Sequence, residues 1–266
     1  MPDLTGPADT LVGELGKVFA IANQKGGVGK TTTAISLAAC MAEAGFEVLL
    51  IDMDPQCNAT LGLGLSKNLS PTVYDALVCG RRLEEVVVAS SVERLGVAPA
   101  GPDLAGANME LPRIAGSEMR LASVLAEPRA DYDLIVLDCP PSLGPLTVNA
   151  LVAADRVIVP VQAEYFALEG LAGLLDTLAL VQRELNPRLT IAGMLLTMHD
   201  ARTRLAQDVE RDVRAHFPEL VFETVIPRNV RVGEAPSFGK PVIHHDPHCS
   251  GADAYFEFAK EVAARD

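Results

Sequence analysis

Residues 24 to 33 read Gln-Lys-Gly-Gly-Val-Gly-Lys-Thr-Thr-Thr, a run suited to gripping a polyphosphate. Gly26, Gly27, Val28 and Gly29 offer backbone N–H groups that can close around phosphate. Lys30 supplies a cation for the β- and γ-phosphates, Thr31 a hydroxyl for Mg2+, and Thr32 a further contact one residue on. The ordinary loop, G-x-x-x-x-G-K-S/T, has glycine where this chain has Gln24, and it does not call for Lys25. The Gly-rich turn leaves Lys25 little room beside Lys30 at its own phosphates. Two chains facing each other, each inserting Lys25 toward the other's ATP, would neutralise phosphate charge as an arginine finger does and make ATP the link of a homodimer.

Carboxylates follow two apolar runs. Val48-Leu-Leu-Ile51 leads into Asp52-Met-Asp54-Pro-Gln56, and Leu134-Ile-Val-Leu137 leads into Asp138-Cys-Pro-Pro-Ser142. Four apolar residues and then Asp is the Walker B pattern, a strand-tip carboxylate that holds Mg2+, and Asp138 fits it best. Asp52 and Asp54 alternate, so on extended backbone they face the same way. Asp54 is expected to orient the attacking water and Asp52 to support the metal.

These residues need strands to carry them and a helix to aim at phosphate. Short apolar runs predict strands over 18–22, 47–52, 95–98, 133–138, 156–161, 190–197 and 222–226, with amphipathic helical stretches between them. That alternation predicts an α/β fold of the P-loop NTPase kind, a doubly wound, mostly parallel sheet with helices on both faces. A helix follows the loop over 31–44. Leu168, Leu171, Leu175, Leu178 and Val181 predict the buried stripe of another over 165–184, and Leu205, Val209, Val213 and Phe217 that of a third. Residues 1–16, with Pro2, Gly6, Pro7 and Gly13, predict a flexible extension, leaving 17–266 as one domain. Pro71, Pro99 and Pro112 mark an irregular middle region.

With 22 basic and 35 acidic residues the chain carries −13, so binding to nucleic acid or acidic membrane must come from a local patch. Five scattered cysteines without a C-x-x-C pair suit reduced thiols in a cytoplasm. No apolar run is long enough to span a membrane.

At this level of detail the chain resembles the ParA/Soj family of chromosome- and plasmid-partitioning ATPases, within the deviant Walker A class that includes MinD. The resemblance covers about residues 17 to 264. It rests on the blocks starting at Asn23, Asp52 and Asp138, and on Glu164-Tyr-Phe-Ala-Leu-Glu-Gly170, Leu196-Thr-Met-His-Asp-Ala-Arg202 and Ile226-Pro-Arg-Asn-Val-Arg231. It implies an ATP- and Mg2+-dependent homodimer that binds double-stranded DNA without sequence preference. It also implies a ParB-type centromere-binding partner that stimulates slow hydrolysis and releases the DNA, and a cytoplasmic, nucleoid-associated location without a membrane partner. Carried over by residue, it makes Lys25 the cross-dimer lysine, Lys30 and Thr31 the phosphate and Mg2+ contacts, and Asp54 the water-orienting group. It further places Pro227 and Asn229 at the adenine and Arg202 and Arg231 on DNA phosphate.

The stretch 200–240 holds seven basic and seven acidic residues, so it is neutral while the remainder carries the whole charge. Near the C-terminus, where family members tend to carry basic residues after Asp-Pro, this chain reads His244-His-Asp-Pro-His-Cys-Ser250. Those His and Cys residues offer a metal-ligand alternative. A MinD-like membrane ATPase would end in a basic amphipathic helix, whereas residues 254–262 carry one lysine and two glutamates. A small-molecule P-loop ligase or kinase is the other competing reading.

Overall fold

All seven expected strands form, and the computed structural model, which describes residues 16–164 and 169–265, adds an eighth. The strands are β1 (Lys17–Ile21), β2 (Val48–Asp52), β3 (Val88–Ala89), β4 (Leu95–Ala98), β5 (Leu134–Asp138), β6 (Arg156–Gln162), β7 (Thr190–His199) and β8 (Val221–Pro227). They lie in the order β3-β4-β2-β5-β1-β6-β7-β8, parallel throughout except for the two-residue β3, which runs antiparallel to β4. Sequence patterning missed β3 because two residues carry no period.

The helices are α1 (Lys30–Glu43), α2 (Asn58–Gly62), α3 (Val73–Leu77), α4 (Leu104–Glu110), α5 (Arg120–Leu125), α6 (Pro145–Ala153), α7 (Glu169–Glu184), α8 (Arg204–His216), α9 (Val230–Glu234), α10 (Val242–His245) and α11 (Ser250–Ala264). Adjacent side chains of β1 serve opposite layers. Val18 and Ala20 pack with α3 to α8, while Phe19 and Ile21 pack with α1 and α11. Both faces are covered, which is why the central strands read as unbroken apolar runs. Each fully buried Leu or Ile contributes roughly 1.5–3 kcal/mol.

Two expected stripes shift. In α7 the buried row is Leu171, Leu174, Leu178 and Val181, with Leu175 only partly buried; Leu168 lies outside the described residues. In α8 the row is Ala206, Val209 and Val213, and Leu205 is 48% exposed. A period of 3.6 mixes steps of three and four, so a chain of fours drifts off the buried face. Gly16, expected at the end of the flexible extension, is buried and donates its N–H to the Arg129 carbonyl at 3.3 Å. Residues 1–15 lie outside the described residues. Among the described residues, no helix is long and apolar enough to cross a membrane.

Strand order reverses around β1, with β2 and β4 to one side and β6 to β8 to the other. The crevice beyond the carboxyl ends at such a switch point is where a doubly wound sheet holds its ligand. The loop after β1 opens there.

Candidate nucleotide site

Two glycines give the loop its curvature. Gly27 and Gly29 have φ of 76° and 89°, left-handed values that favour glycine, and Gly29 caps α1. Gly26 is different: its φ is not left-handed, and a Cβ there would meet no protein atom within 4 Å. Nothing in the folded chain itself demands glycine at that position, whereas a phosphate lying against the backbone would. The loop is braced from distant strands. Thr197 on β7 donates its hydroxyl to the Val28 carbonyl at 2.8 Å. Asn23 donates its amide to the Pro160 carbonyl at 2.7 Å and accepts from the Lys25 N–H at 2.9 Å.

The two lysines part company. Lys30 is buried and folds back to donate to the Lys25 carbonyl at 3.0 Å. Burial lowers its pKa, opposed chiefly by the nearby carboxylates of Asp138 and Asp54. Lys25 turns out of the loop, 32% exposed, and pairs with Glu164 at 3.4 Å. Thr31 and Thr32 stand half-buried in the first turn of α1.

Asp138 ends β5 fully buried, and neither carboxylate oxygen has a hydrogen-bond partner. Burial pushes its pKa well above the carboxylate range, Asp52 adds to that, and the nearby Thr31 hydroxyl and Lys30 oppose it. An orphaned buried carboxylate beside a hydroxyl is a donor set that fits Mg2+, which takes hard oxygen ligands from one or two carboxylates plus phosphates and water. Asp138 and Thr31 would hold the ion. Asp52 is the register partner of Asp138, but its oxygens are already engaged. It accepts from the Asp54 N–H at 3.1 Å, the Thr60 N–H at 2.9 Å and the Thr60 hydroxyl at 2.7 Å. These bonds restrain a pKa that burial raises to about 6. Asp54, 6% exposed, accepts from the Gln56 N–H at 2.9 Å.

Lys25, Gly26, Gly27, Val28, Gly29, Lys30, Thr31, Thr32, Asp52, Asp54 and Asp138 thus gather at the carboxyl ends of β1, β2 and β5. Asn23, Thr60 and Thr197, which brace them, were not singled out from sequence. Pro227 and Asn229 lie at the end of β8, and Asn229 caps α9 by accepting from the Arg231 N–H at 2.8 Å while donating to the Ser250 hydroxyl at 3.0 Å.

Arg202 and Arg231 also lie beyond the ends of β7 and β8, which the Arg228 N–H ties together through the His199 carbonyl at 3.0 Å. Both are already paired with acids. Arg202 grips Asp200 through two bonds of 2.8 Å, drawing the Asp200 pKa far below the usual carboxylate range. Arg231 pairs with Glu234 at 3.0 Å and Asp246 at 3.3 Å. Further on, His244 pairs with Glu43 at 2.6 Å. Among the described residues no group of three or more His, Cys, Asp or Glu side chains is placed to hold a metal ion.

A sequence profile described as an AAA domain matches residues 16–191. The chain is 54% identical to the sporulation initiation inhibitor protein Soj of Bacillus subtilis, over 94% of this chain and 99% of that protein. It is 57% identical to the chromosome-partitioning ATPase Soj of Thermus thermophilus, over 93% and 95%. The chain belongs to the ParA/Soj chromosome-partitioning family. This family membership accounts for the Asn23, Asp52 and Asp138 blocks standing together. Among solved structures, the cobyrinic acid a,c-diamide synthase of Mycobacterium smegmatis with bound ADP and magnesium is 40% identical, with a TM-score of 0.81 over 92% of this chain and 93% of that one. MinD of Pyrococcus horikoshii, complexed with Mg-ADP, is 25% identical with a TM-score of 0.75 over 93% and 96%. Both share the P-loop α/β architecture of the ParA/Soj chain.

Proposed function

We propose that this protein is a Mg2+-dependent ATPase of DNA segregation. Its ATP-bound form is a sandwich homodimer that holds double-stranded DNA without reading its sequence, and a ParB-type partner speeds hydrolysis and so releases the DNA. The activity is cytoplasmic and associated with the nucleoid. The observation that carries the reading is the divergence of the two loop lysines: Lys30 lies over its own phosphate loop, and Lys25 faces outward to Glu164. An exposed pair of that kind contributes only about 0–1 kcal/mol, so Lys25 is released at little cost when a second chain's phosphates approach.

Within each site the loop amides and Lys30 bind the phosphates, Asp138 and Thr31 hold Mg2+, and Asp54 accepts a hydrogen bond from the attacking water and orients it in line. Mg2+ when bound would supply charge neutralisation at the phosphates. Lys25 from the partner adds positive charge where it builds on the leaving phosphates, and Pro227 and Asn229 border the adenine. Arg202 and Arg231 exchange their carboxylate partners for DNA phosphate, which gives affinity without sequence information.

The test is DNA retention with ATP, with ADP and without nucleotide, at two salt concentrations. Retention with ATP alone, falling with salt, is expected. Equal retention in all three states would overturn the reading. The 40% identity to a diamide synthase favours a second reading, a small-molecule ligase. That reading gains if ATP-loaded protein retains no DNA.

A further inference from the structure

Thr60 belongs to no motif that binds phosphate, yet on α2 it is completely buried between the end of β2 and the loop after β4. Its hydroxyl donates to Asp52 Oδ2 at 2.7 Å, and its backbone N–H donates to the same oxygen at 2.9 Å. The Ala100 N–H, in the loop after β4, donates to the Thr60 oxygen at 3.0 Å. A hydroxyl has one proton to give. With Ala100 approaching a lone pair, that proton is directed at Asp52. The other Asp52 oxygen, Oδ1, receives the Asp54 N–H at 3.1 Å. Asp52 is therefore a bridge with Thr60 on one side and the backbone of Asp54 on the other.

The consequence lies at Asp54. Its carboxylate, on the turn after β2, accepts the Gln56 N–H at 2.9 Å, and the turn leads to Cys57, a non-glycine residue with a left-handed φ of 59°. Such a turn holds its shape only where surrounding contacts fix it. We infer that Thr60 is a positioning residue for ATP hydrolysis: by locking Asp52 it fixes the direction of the Asp54 carboxylate. Thr60 touches neither nucleotide nor water. The inference rests on the assignment of Asp54 to the attacking water.

The experiment measures kcat, KM for ATP and ATP-dependent dimerisation for Thr60→Val, Thr60→Ser and Asp54→Ala, all well below their melting temperatures. Valine keeps the shape of threonine and removes the hydroxyl, so kcat falls on the order of tenfold to a hundredfold. KM stays within about twofold, because the phosphate loop and Lys30 are untouched and only transition-state positioning is lost. Thr60→Ser keeps the donor and restores most of kcat. A merely structural threonine would instead move KM, dimerisation and kcat together, or leave Ser as impaired as Val, and either result overturns the inference. Should Thr60→Val not fold, Thr60→Cys, close in size to Ser with a weak S–H donor, must show the same loss of kcat that Thr60→Ser does not. If Asp54→Ala is slow while Thr60→Val and Thr60→Cys match wild type, this inference alone fails. If Asp54→Ala hydrolyses ATP at the wild-type rate, the Asp54 assignment fails and takes the inference with it.

Discussion

Asp52 and Asp138 are register partners on adjacent parallel strands, one accepting three hydrogen bonds and the other none. Burial raises the pKa of both and the Asp52 charge adds to the rise at Asp138, while the Thr60 and Asp54 donors restrain it at Asp52 and the Thr31 hydroxyl and Lys30 oppose it at Asp138. The asymmetry divides their work. On the proposed reading Asp52 shapes the loop that carries Asp54, and Asp138 holds the cation.

The strain of that pair is measurable as a pH dependence of stability. Both groups have pKa values raised above the unfolded value, so the folded protein binds more protons, and the pair's contribution to stability is most favourable below about pH 4. For Asp52 it is lost as pH rises from about 4 through about 6, and Asp138 extends the loss to higher pH. Asp138→Asn cannot ionise, so without nucleotide its stability falls less than that of wild type as pH rises, by on the order of 1–2 kcal/mol. The same variant loses Mg2+-dependent hydrolysis. Thermal denaturation across pH checks the first claim and ATP turnover the second.

Gly26 separates folding from ligand binding. Because an added Cβ meets no protein atom, Gly26→Ala keeps its stability to within about 0.5 kcal/mol. A methyl group between the backbone and the phosphates weakens ATP binding about tenfold or more, or at least 1.4 kcal/mol. Melting curves and nucleotide titrations together test this.

Asp54 is assigned to the attacking water, so Asp54→Ala dimerises with ATP as wild type does while hydrolysis falls about a hundredfold or more. Sedimentation with ATP and phosphate release are the paired measurements. A variant that fails to dimerise would place Asp54 in the interface instead.

On the proposed reading Arg202 leaves one carboxylate and Arg231 leaves two to reach DNA, and both are well exposed, at 89% and 56% of the side chain. Replacing either by alanine leaves the fold intact and lowers the salt slope of DNA binding by about one phosphate contact each. Retention measured over a salt series at saturating ATP reads this directly.

The phosphate loop and the strand-tip acids were legible in sequence because each lies within one short segment whose chemistry is local. The braces were not. Thr197 reaches Val28 across 169 residues and Asn23 reaches Pro160 across 137, and neither partner is marked except by the fold. Nothing in the sequence marks Thr60, because its partners, Asp52 and Ala100, meet only when β2 and β4 pair. The ion pairs of Arg202 and Arg231 were hidden for a related reason. Equal counts of acids and bases over 200–240 say nothing about which of them touch. Leu205 shows the opposite error, since a regular spacing of four suggested burial where the α8 axis puts Ala206.

The central claim is that Lys25 serves the other chain's ATP, and mixing two inactive variants tests it most directly. Lys25→Ala lacks the lysine and keeps Asp54; Asp54→Ala lacks Asp54 and keeps the lysine. In a mixed dimer, the site on the Lys25→Ala chain has its own Asp54 and receives Lys25 from its partner, so one complete site forms. The account predicts that each variant alone is nearly inactive and that the mixture regains a measurable fraction of the wild-type ATPase rate. If Lys25 acted on its own chain's ATP, no site in the mixture would be complete, and a mixture no more active than its components would contradict the account.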